Sequence, residues 1–157
     1  ANEASSGAGG VAAYGGATLL ATATVFDGNT GGNCAAGTTF TGGNNLSSDA
    51  TCSFTGSGNL TSTPALLGAP DAGPGGLIYY PPSFASPALD SAGSGLCLDA
   101  FGDSVELDMI SAPRPVDGTG DGVVGRDRGA IEVASEPPLF ADGFESGDTS
   151  AWSAHVP

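Results

Sequence analysis

Short apolar runs limit the N-terminal half of the chain to very short strands. The first series of runs lies at Val11–Tyr14, Thr18–Leu20 and Thr24–Phe26. A second series lies at Thr38–Phe40, Leu46 and Cys52–Phe54. Three short strands in each turn of roughly 20 residues, separated by glycine and other small residues, are typical of a parallel β-helix. The sequence therefore predicts an all-β fold in which residues 1–63 form a few coils, about two, of a right-handed parallel β-helix.

Prolines crowd residues 64–87 and remove the backbone donors that a central strand needs. They are Pro64, Pro70, Pro74, Pro81, Pro82 and Pro87. We therefore expect residues 64–134 to form an irregular, proline-rich β capping region across the surface or end of the coils. Its expected apolar contacts are Leu66, Leu67, Leu77, Ile78, Tyr79, Tyr80 and Phe84. Further strands are predicted at Val105–Ile110 and Ala130–Val133, and residues 135–157 are predicted to form an extended tail.

The composition is strongly acidic. Seventeen Asp and Glu residues face three arginines and no lysine, which gives a formal net charge of −14. Such a charge repels phosphate, so we expect no nucleic-acid partner and no binding to anionic membranes. No apolar run approaches the length of a membrane span, and no signal peptide is present, so a secreted protein would already be processed. The sequence favours an extracellular or cell-surface protein.

Three cysteines bear on the compartment. Cys34 and Cys52 flank a polar, glycine-rich segment, and two adjacent coils could bring them together. We predict a disulfide between them, which would form in an oxidising compartment. Cys97 is then left over, and a lost partner, an intermolecular bridge and a buried thiol all stay open.

Several motifs carry a resemblance to a known class of protein. The first two are Gly-Gly-Asn-Cys at 31–34 and Gly-Gly-Asn-Asn-Leu-Ser-Ser-Asp-Ala-Thr-Cys-Ser-Phe at 42–54. Pro-Ala-Leu-Leu-Gly at 64–68, Ser-Pro-Ala-Leu-Asp at 86–90, Pro-Arg-Pro-Val-Asp-Gly at 113–118 and Asp-Arg-Gly-Ala-Ile-Glu at 127–132 follow. Together they resemble the C-terminal part of bacterial pectin-lyase-like right-handed β-helix surface proteins of the choice-of-anchor type, which are similar to polymorphic outer-membrane proteins.

The resemblance implies a bacterial surface protein and a specific departure at the third cysteine. Members of that class pair the cysteine near position 97 with one just before the Asp-Arg-Gly-Ala segment. Arg126 occupies that place here. The resemblance therefore implies that Cys97 has lost its partner.

The residues that catalysis would need are scarce. Polysaccharide lyases of this architecture require a strong base facing a Ca²⁺ ion, whereas this chain lacks lysine and carries its arginines outside the predicted coils. Hydrolysis would need a carboxylate pair, for which Asp27 and Asp49 on stacked turns are the candidates. The only histidine, His155, lies three positions from the end of the sequence. We therefore predict no catalytic residues and no required cofactor.

Calcium is the one ion that the sequence suggests. Asp117, Thr119 and Asp121 place oxygen ligands at alternate positions between glycines, as the start of an EF-hand-like loop does. Position 128, where such a loop needs a bidentate Glu, is an arginine, and Asp127 or Glu132 would have to complete the shell. The alternative is an Asp/Gly turn that binds no ion.

The sequence leads to a function without catalysis. A β-helix of few coils exposes a strand edge at each end, so we expect a structural protein that joins copies of itself head to tail into an extracellular fibre or surface layer. The alternative is the C-terminal end of a larger adhesin that binds carbohydrate or matrix, and a more remote one is a degenerate polysaccharide lyase. In the tail, Phe140, Phe144 and Trp152 are candidates for self-association by docking on the next subunit, and the alternative is that they dock on their own domain.

Overall fold

The chain folds almost entirely into short strands and turns. The structure is a computed structural model, and it describes residue 2 and residues 8–93, 98–99 and 102–135. The strands are β1 (Thr18–Leu20), β2 (Val25–Phe26), β3 (Thr39–Thr41), β4 (Leu46–Ser47), β5 (Ser53–Phe54), β6 (Asp71–Ala72) and β7 (Ile78–Tyr79). One 3-10 helix spans Pro74–Gly76, and the described residues contain no α-helix. The all-β prediction is therefore confirmed.

The first five strands stack in parallel. Strand β3 lies between β1 and β5, while β2 pairs with β4. Thr39 pairs with Thr18 and with Ser53, so successive turns are offset by 21 and then by 14 residues. Leu60 extends the second column of strands by a parallel bridge to Leu46. Residues 11–33, 34–51 and 52–63 are thus three successive turns, here called the stack.

The shortest turn explains why the sequence pattern predicts about two turns rather than three. Its 14-residue offset falls below the period of roughly 20 residues on which the prediction rests. The positions of β1 to β5 were predicted to within a residue, because glycine and small residues separate the apolar runs clearly. The predicted run Val11–Tyr14 instead forms only an isolated bridge, from Val11 to Cys34.

Phenylalanines fill the interior of the stack. Leu19, Phe40 and Phe54 occupy equivalent positions on β1, β3 and β5. The Phe40 ring centroid lies 5.2 Å from that of Phe26 and 5.6 Å from that of Phe54, within the range of favourable tilted ring pairs. Ala21 completes the buried cluster with the disulfide cysteines. One aromatic side chain per turn therefore supplies most of the apolar volume that this narrow interior can hold.

Buried asparagine side chains tie one turn to the next. The Asn45 side-chain amide is fully buried and donates to the Ala21 carbonyl oxygen and to Asn59 Oδ1, while its Oδ1 accepts from the Thr24 N–H. Asn44 adopts a φ of 58°, the left-handed region that asparagine tolerates. Both residues therefore serve the turn and the stacking.

Close approach between turns requires glycine at one corner. Gly42 has a φ of 100°, and a Cβ built there would lie 2.2 Å from the Ala21 carbonyl oxygen of the preceding turn. Any side chain would force the two turns apart.

The described residues that follow the stack, 64–93, 98–99 and 102–135, form a segment here called the brace. Strands β6 and β7 pair antiparallel within it. Leu46 of the stack packs against Ala65 and Ala88 of the brace, with Val25, Leu60 and Leu67 at the margin. The brace therefore lies along the outer side of the second strand column.

Two expectations for the brace are wrong. Residues Val105–Ile110 and Ala130–Val133 do not form strands, and carboxylates take several of the backbone donors that a strand would need. The Asp108 carboxylate accepts from the N–H groups of Ile110, Ala112 and Glu132. Most of the side chains expected to contact the coils are instead exposed, namely Leu66, Leu77, Ile78, Tyr80 and Phe84.

Candidate functional site

A groove separates the first turn of the stack from the brace. It has a volume of about 660 Å³. Val25, Asp27 and Asn29 lie on the stack side, and Tyr80 and Met109 on the brace side. Tyr80 is 51% exposed and Met109 is 41% exposed. The groove therefore offers open apolar side chains opposite backbone and polar groups of the first turn.

The rim of the groove is held by polar contacts of the brace. The Tyr79 hydroxyl, on β7, donates to Asp71 Oδ2 on β6 over 3.1 Å. Loss of hydration and then this hydrogen bond raise the pKa of Tyr79, so the hydroxyl stays a donor. This hydrogen bond joins the two strands of the hairpin, whose Tyr79 lines the groove.

A buried charged network holds the far end of the brace together. Arg114 Nε lies 3.6 Å from Glu132 Oε2, and both side chains are almost fully buried. Glu132 Oε1 accepts from the Val116 N–H, and Glu132 Oε2 from the Asp127 N–H. Burial raises the pKa of Glu132, while these N–H donors and then Arg114 oppose the rise. The Glu132 carboxylate is buried and accepts hydrogen bonds from two backbone N–H groups, which suits a structural role.

Asp127 is the most strongly perturbed acid in the described residues. It is fully buried, and its carboxylate accepts from the N–H groups of Asp90 and Val133. Burial raises its pKa to about 6, against these hydrogen bonds, and the nearby Glu132 and Asp90 carboxylates add to the rise. An acid that titrates near neutrality is a candidate for catalysis, but this one has no exposed face toward a substrate.

Arg128 joins the brace to the stack. Its Nη1 donates to the carbonyl oxygens of Asn45 and Gly58, and its Nε and Nη2 donate to the Ser91 hydroxyl and carbonyl oxygens. Burial lowers the pKa of this guanidinium, which nevertheless stays charged. The residue that breaks the EF-hand pattern is therefore an anchor between two parts of the fold.

The predicted calcium loop is exposed and rich in backbone contacts. Asp117 accepts from the N–H groups of Gly120 and Gly122 over 2.6 and 2.8 Å, and Asp121 accepts from the Val123 N–H. Thr119 donates its backbone N–H to Asp90. No group of three His, Cys, Asp or Glu side chains in the described ranges is arranged to hold a metal ion. Calcium binding at Asp117, Thr119 and Asp121 stays a prediction.

The disulfide is formed as predicted. Cys34 and Cys52 are bonded, with their Cα atoms 4.9 Å apart, and both are buried. The bond joins the second turn of the stack to the third. Cys97 and the tail candidates Phe140, Phe144 and Trp152 lie outside the described residues.

The carboxylates proposed as a hydrolytic pair have structural surroundings. Asp49 accepts from the N–H groups of Asn33 and Thr51 and from the Ser47 and Thr51 hydroxyls. Burial alone would raise the pKa of Asp49, but these donors together lower it. Asp27 lies in the groove. An acid stabilised in its charged form by four donors organises a turn and suits proton transfer poorly.

Sequence reasoning missed the groove and the role of Arg128. The groove depends on side chains that the sequence shows only as apolar residues in a proline-rich segment. The sequence does carry one signal for the structural role of Arg128. The chain has only three arginines and no lysine, and all three arginines lie within 15 positions of one another.

Comparison of the chain with protein-family models, with curated proteins and with solved structures gives no match. The resemblance to bacterial β-helix surface proteins therefore rests on the motifs quoted above. Within the described part of the chain, no helix is long and apolar enough to cross a membrane.

Proposed function

We propose that this chain is a non-enzymatic, secreted structural protein whose stack is the end of a right-handed parallel β-helix. It joins copies of itself head to tail into an extracellular fibre or surface layer. The observation that carries the proposal is the parallel stack, in which no described strand pairs with the outer edge of β1 or of β5. Strand edges left open in this way are templates for pairing with another chain.

Three features support an extracellular location at a bacterial surface. The Cys34–Cys52 disulfide suits an oxidising compartment. The charge of −14 suits a soluble, exported surface. The motifs that resemble bacterial β-helix surface proteins include the residues of the disulfide.

The arginines support a role without catalysis. Arg114, Arg126 and Arg128 are all buried, and each donates to backbone carbonyl oxygens. A polysaccharide lyase needs an accessible strong base beside its substrate. A degenerate lyase is therefore only a remote alternative for a chain whose arginines are all buried. All three side chains that could supply such a base are committed to the fold.

Electron microscopy and sedimentation test the proposal directly. The secreted protein should form head-to-tail rods or fibres in negative stain, and its sedimentation coefficient should rise with concentration. The disulfide should be intact in this material. A chain that sediments as one monomer at every concentration, and shows isolated particles, would contradict the proposal.

The groove favours a second candidate, an adhesin that binds carbohydrate. Tyr79 and Tyr80 line it on the brace side and Asp27 and Asn29 on the stack side, and a pocket with aromatic and polar side chains on facing walls suits sugar rings. Glycan-array binding that Tyr80→Ala abolishes would favour this function. The control is Tyr14→Ala, which removes a tyrosine that is 85% exposed and lies outside the groove.

A further inference from the structure

Charged residues are scarce at both ends of the stack, where Asp27 of the first turn is the one exception. Residues 4–26 and 50–70 contain no Asp, Glu, Lys, Arg or His, although the chain carries 17 acidic residues. Asp27 and Asp49 are the only charged residues between Glu3 and Asp71. A net charge of −14 would oppose contact between copies over most of the surface. The ends of the stack escape that repulsion.

At two positions on the edge of the third turn, the backbone N–H and C=O groups face away from the second turn. The Thr55 N–H donates to the Phe40 carbonyl, and the Leu60 N–H donates to the Asn45 carbonyl. Alternate residues of a parallel strand direct their backbone groups to opposite neighbours. The N–H and C=O groups of Phe54 and Thr61 therefore face away from the second turn, where no described strand pairs with them.

The edge of the first turn faces the groove. The carbonyl oxygens of Thr24 and Phe26 accept hydrogen bonds from the N–H groups of Leu46 and Ser48 in the second turn. By the same alternation, the N–H and C=O groups of Val25 point into the groove that Val25 lines. Tyr80 and Met109 of the brace form the opposite wall. Among the described residues, none pairs with the Val25 backbone there, so the groove presents both an open strand edge and an exposed apolar wall.

We propose that the groove of one copy receives the third-turn edge of a second copy, with its strands parallel to those of the stack. The inference rests on the proposed head-to-tail function and names its two contact surfaces. Leu60 of one copy would then continue the column that begins at Val25 of the next. Because the two surfaces differ, the contact is heterologous and repeats from copy to copy.

Charge placed at either surface tests the proposal. Variant A carries Ser53→Asp and Ser57→Asp beside the third-turn edge, at two exposed positions. Variant B carries Tyr80→Asp and Met109→Asp in the groove. The matched control carries Val123→Asp and Val124→Asp, which add the same charge at exposed positions of the brace. Sedimentation velocity at matched concentrations gives the dissociation constant of each.

Variants A and B should each raise the dissociation constant at least about tenfold, because each would place carboxylates without partners in a desolvated contact. The control should change it far less. Mixing A with B should restore a 1:1 complex, since A keeps its groove and B keeps its edge. This complex should not grow further, because its two remaining surfaces are both blocked.

Each other outcome has a distinct meaning. If the wild type associates but the mixture gives no complex, or the control weakens association equally, the contact lies elsewhere and this inference fails while the proposed function stands. A monomeric wild type would overturn both. Circular dichroism checks folding, and if a double variant unfolds, the single substitutions Ser57→Asp and Tyr80→Asp repeat the mixing experiment.

Discussion

The Arg128 guanidinium reaches out of the brace and donates a hydrogen bond of 2.7 Å to the Asn45 carbonyl oxygen in the second turn of the stack. The same Nη1 donates to the Gly58 carbonyl oxygen in the third turn over 2.9 Å. The next residue, Gly129, donates its N–H to the Ala23 carbonyl oxygen in the first turn. Two adjacent residues of the brace thus contact all three turns.

We expect Arg128→Lys to lower the free energy of unfolding by about 2–3 kcal/mol, since buried carbonyl oxygens would lose their donors while the charge is kept. Urea denaturation measures the change. Arg126→Lys is the matched control, because Arg126 donates to the Val105 carbonyl oxygen within the brace. An equal loss in both variants would contradict the role of Arg128 as the anchor between brace and stack.

Removal of the disulfide should destabilise the stack. The Cys34→Ala, Cys52→Ala double variant opens a loop with a sequence separation of 18 residues. For a loop of this size we expect a loss of about 3 kcal/mol and a lower melting temperature. Cys97→Ser is the control and should melt like the wild type. Peptide mapping under non-reducing conditions that finds Cys34 and Cys52 as free thiols would contradict the oxidising-compartment argument.

Asp127 should make the protein less stable as the pH rises toward neutrality. Its pKa is raised from 3.8 to about 6 in the folded chain, so folding binds a proton. The resulting stabilisation is complete below about pH 4 and is lost as the pH rises through about 6. The pKa of Glu132 is raised as well, which acts in the same direction.

Asp127→Asn isolates that effect. The variant cannot ionise, so its stability relative to the wild type should improve between pH 4 and pH 7 in urea denaturation series. Asp121→Asn removes one carboxylate from the exposed loop and corrects for the change in net charge. If the difference between Asp127→Asn and the wild type does not vary with pH, Asp127 does not bind a proton on folding.

Calcium binding predicts a response to chelation. If Asp117, Thr119 and Asp121 hold the ion, a chelator should lower the melting temperature, and Asp121→Ala should abolish that response. Asp71→Ala, at the exposed β6 strand, is the control and should keep the response. An identical melting curve with and without chelator would leave the Asp/Gly turn, whose carboxylates already accept from backbone N–H groups.

The stack could be predicted from the sequence because its signals are local. Each strand is two or three residues long and contains at least one large apolar residue, as at Thr18–Leu20, and small residues mark where it ends. The disulfide followed from the same turns, since Cys34 and Cys52 occupy adjacent ones. The third turn was missed because its offset is shorter than that of the second.

The brace and the groove could not be predicted, because their contacts join residues far apart in sequence. Asp108 and Asp127 take backbone donors that an isolated segment would give to a strand, and only the folded chain places them there. Arg128 meets Asn45 across 83 positions. No local pattern contains such a pairing, and without homologous sequences nothing else in the chain indicates it.

The tail offers a second route to association, independent of the groove. Phe140, Phe144 and Trp152 stand in a short segment among acidic and small residues, too polar to form a core of its own. Burying each side chain fully would contribute about 2 kcal/mol. We therefore expect deletion of residues 136–157 to leave a folded protein with weaker self-association, measured by sedimentation velocity at matched concentration.

The charge of the tail makes this deletion a stringent experiment. It removes four acidic residues, Glu136, Asp142, Glu145 and Asp148, and that loss alone should favour association by reducing repulsion. A full-length variant with Phe140, Phe144 and Trp152 changed to Ala keeps those charges and should weaken association further than the deletion does. If the full-length and truncated chains both run as the same monomer, the tail does not mediate assembly. If the truncated chain unfolds, the aromatic side chains that the deletion removes belong to the core of their own chain.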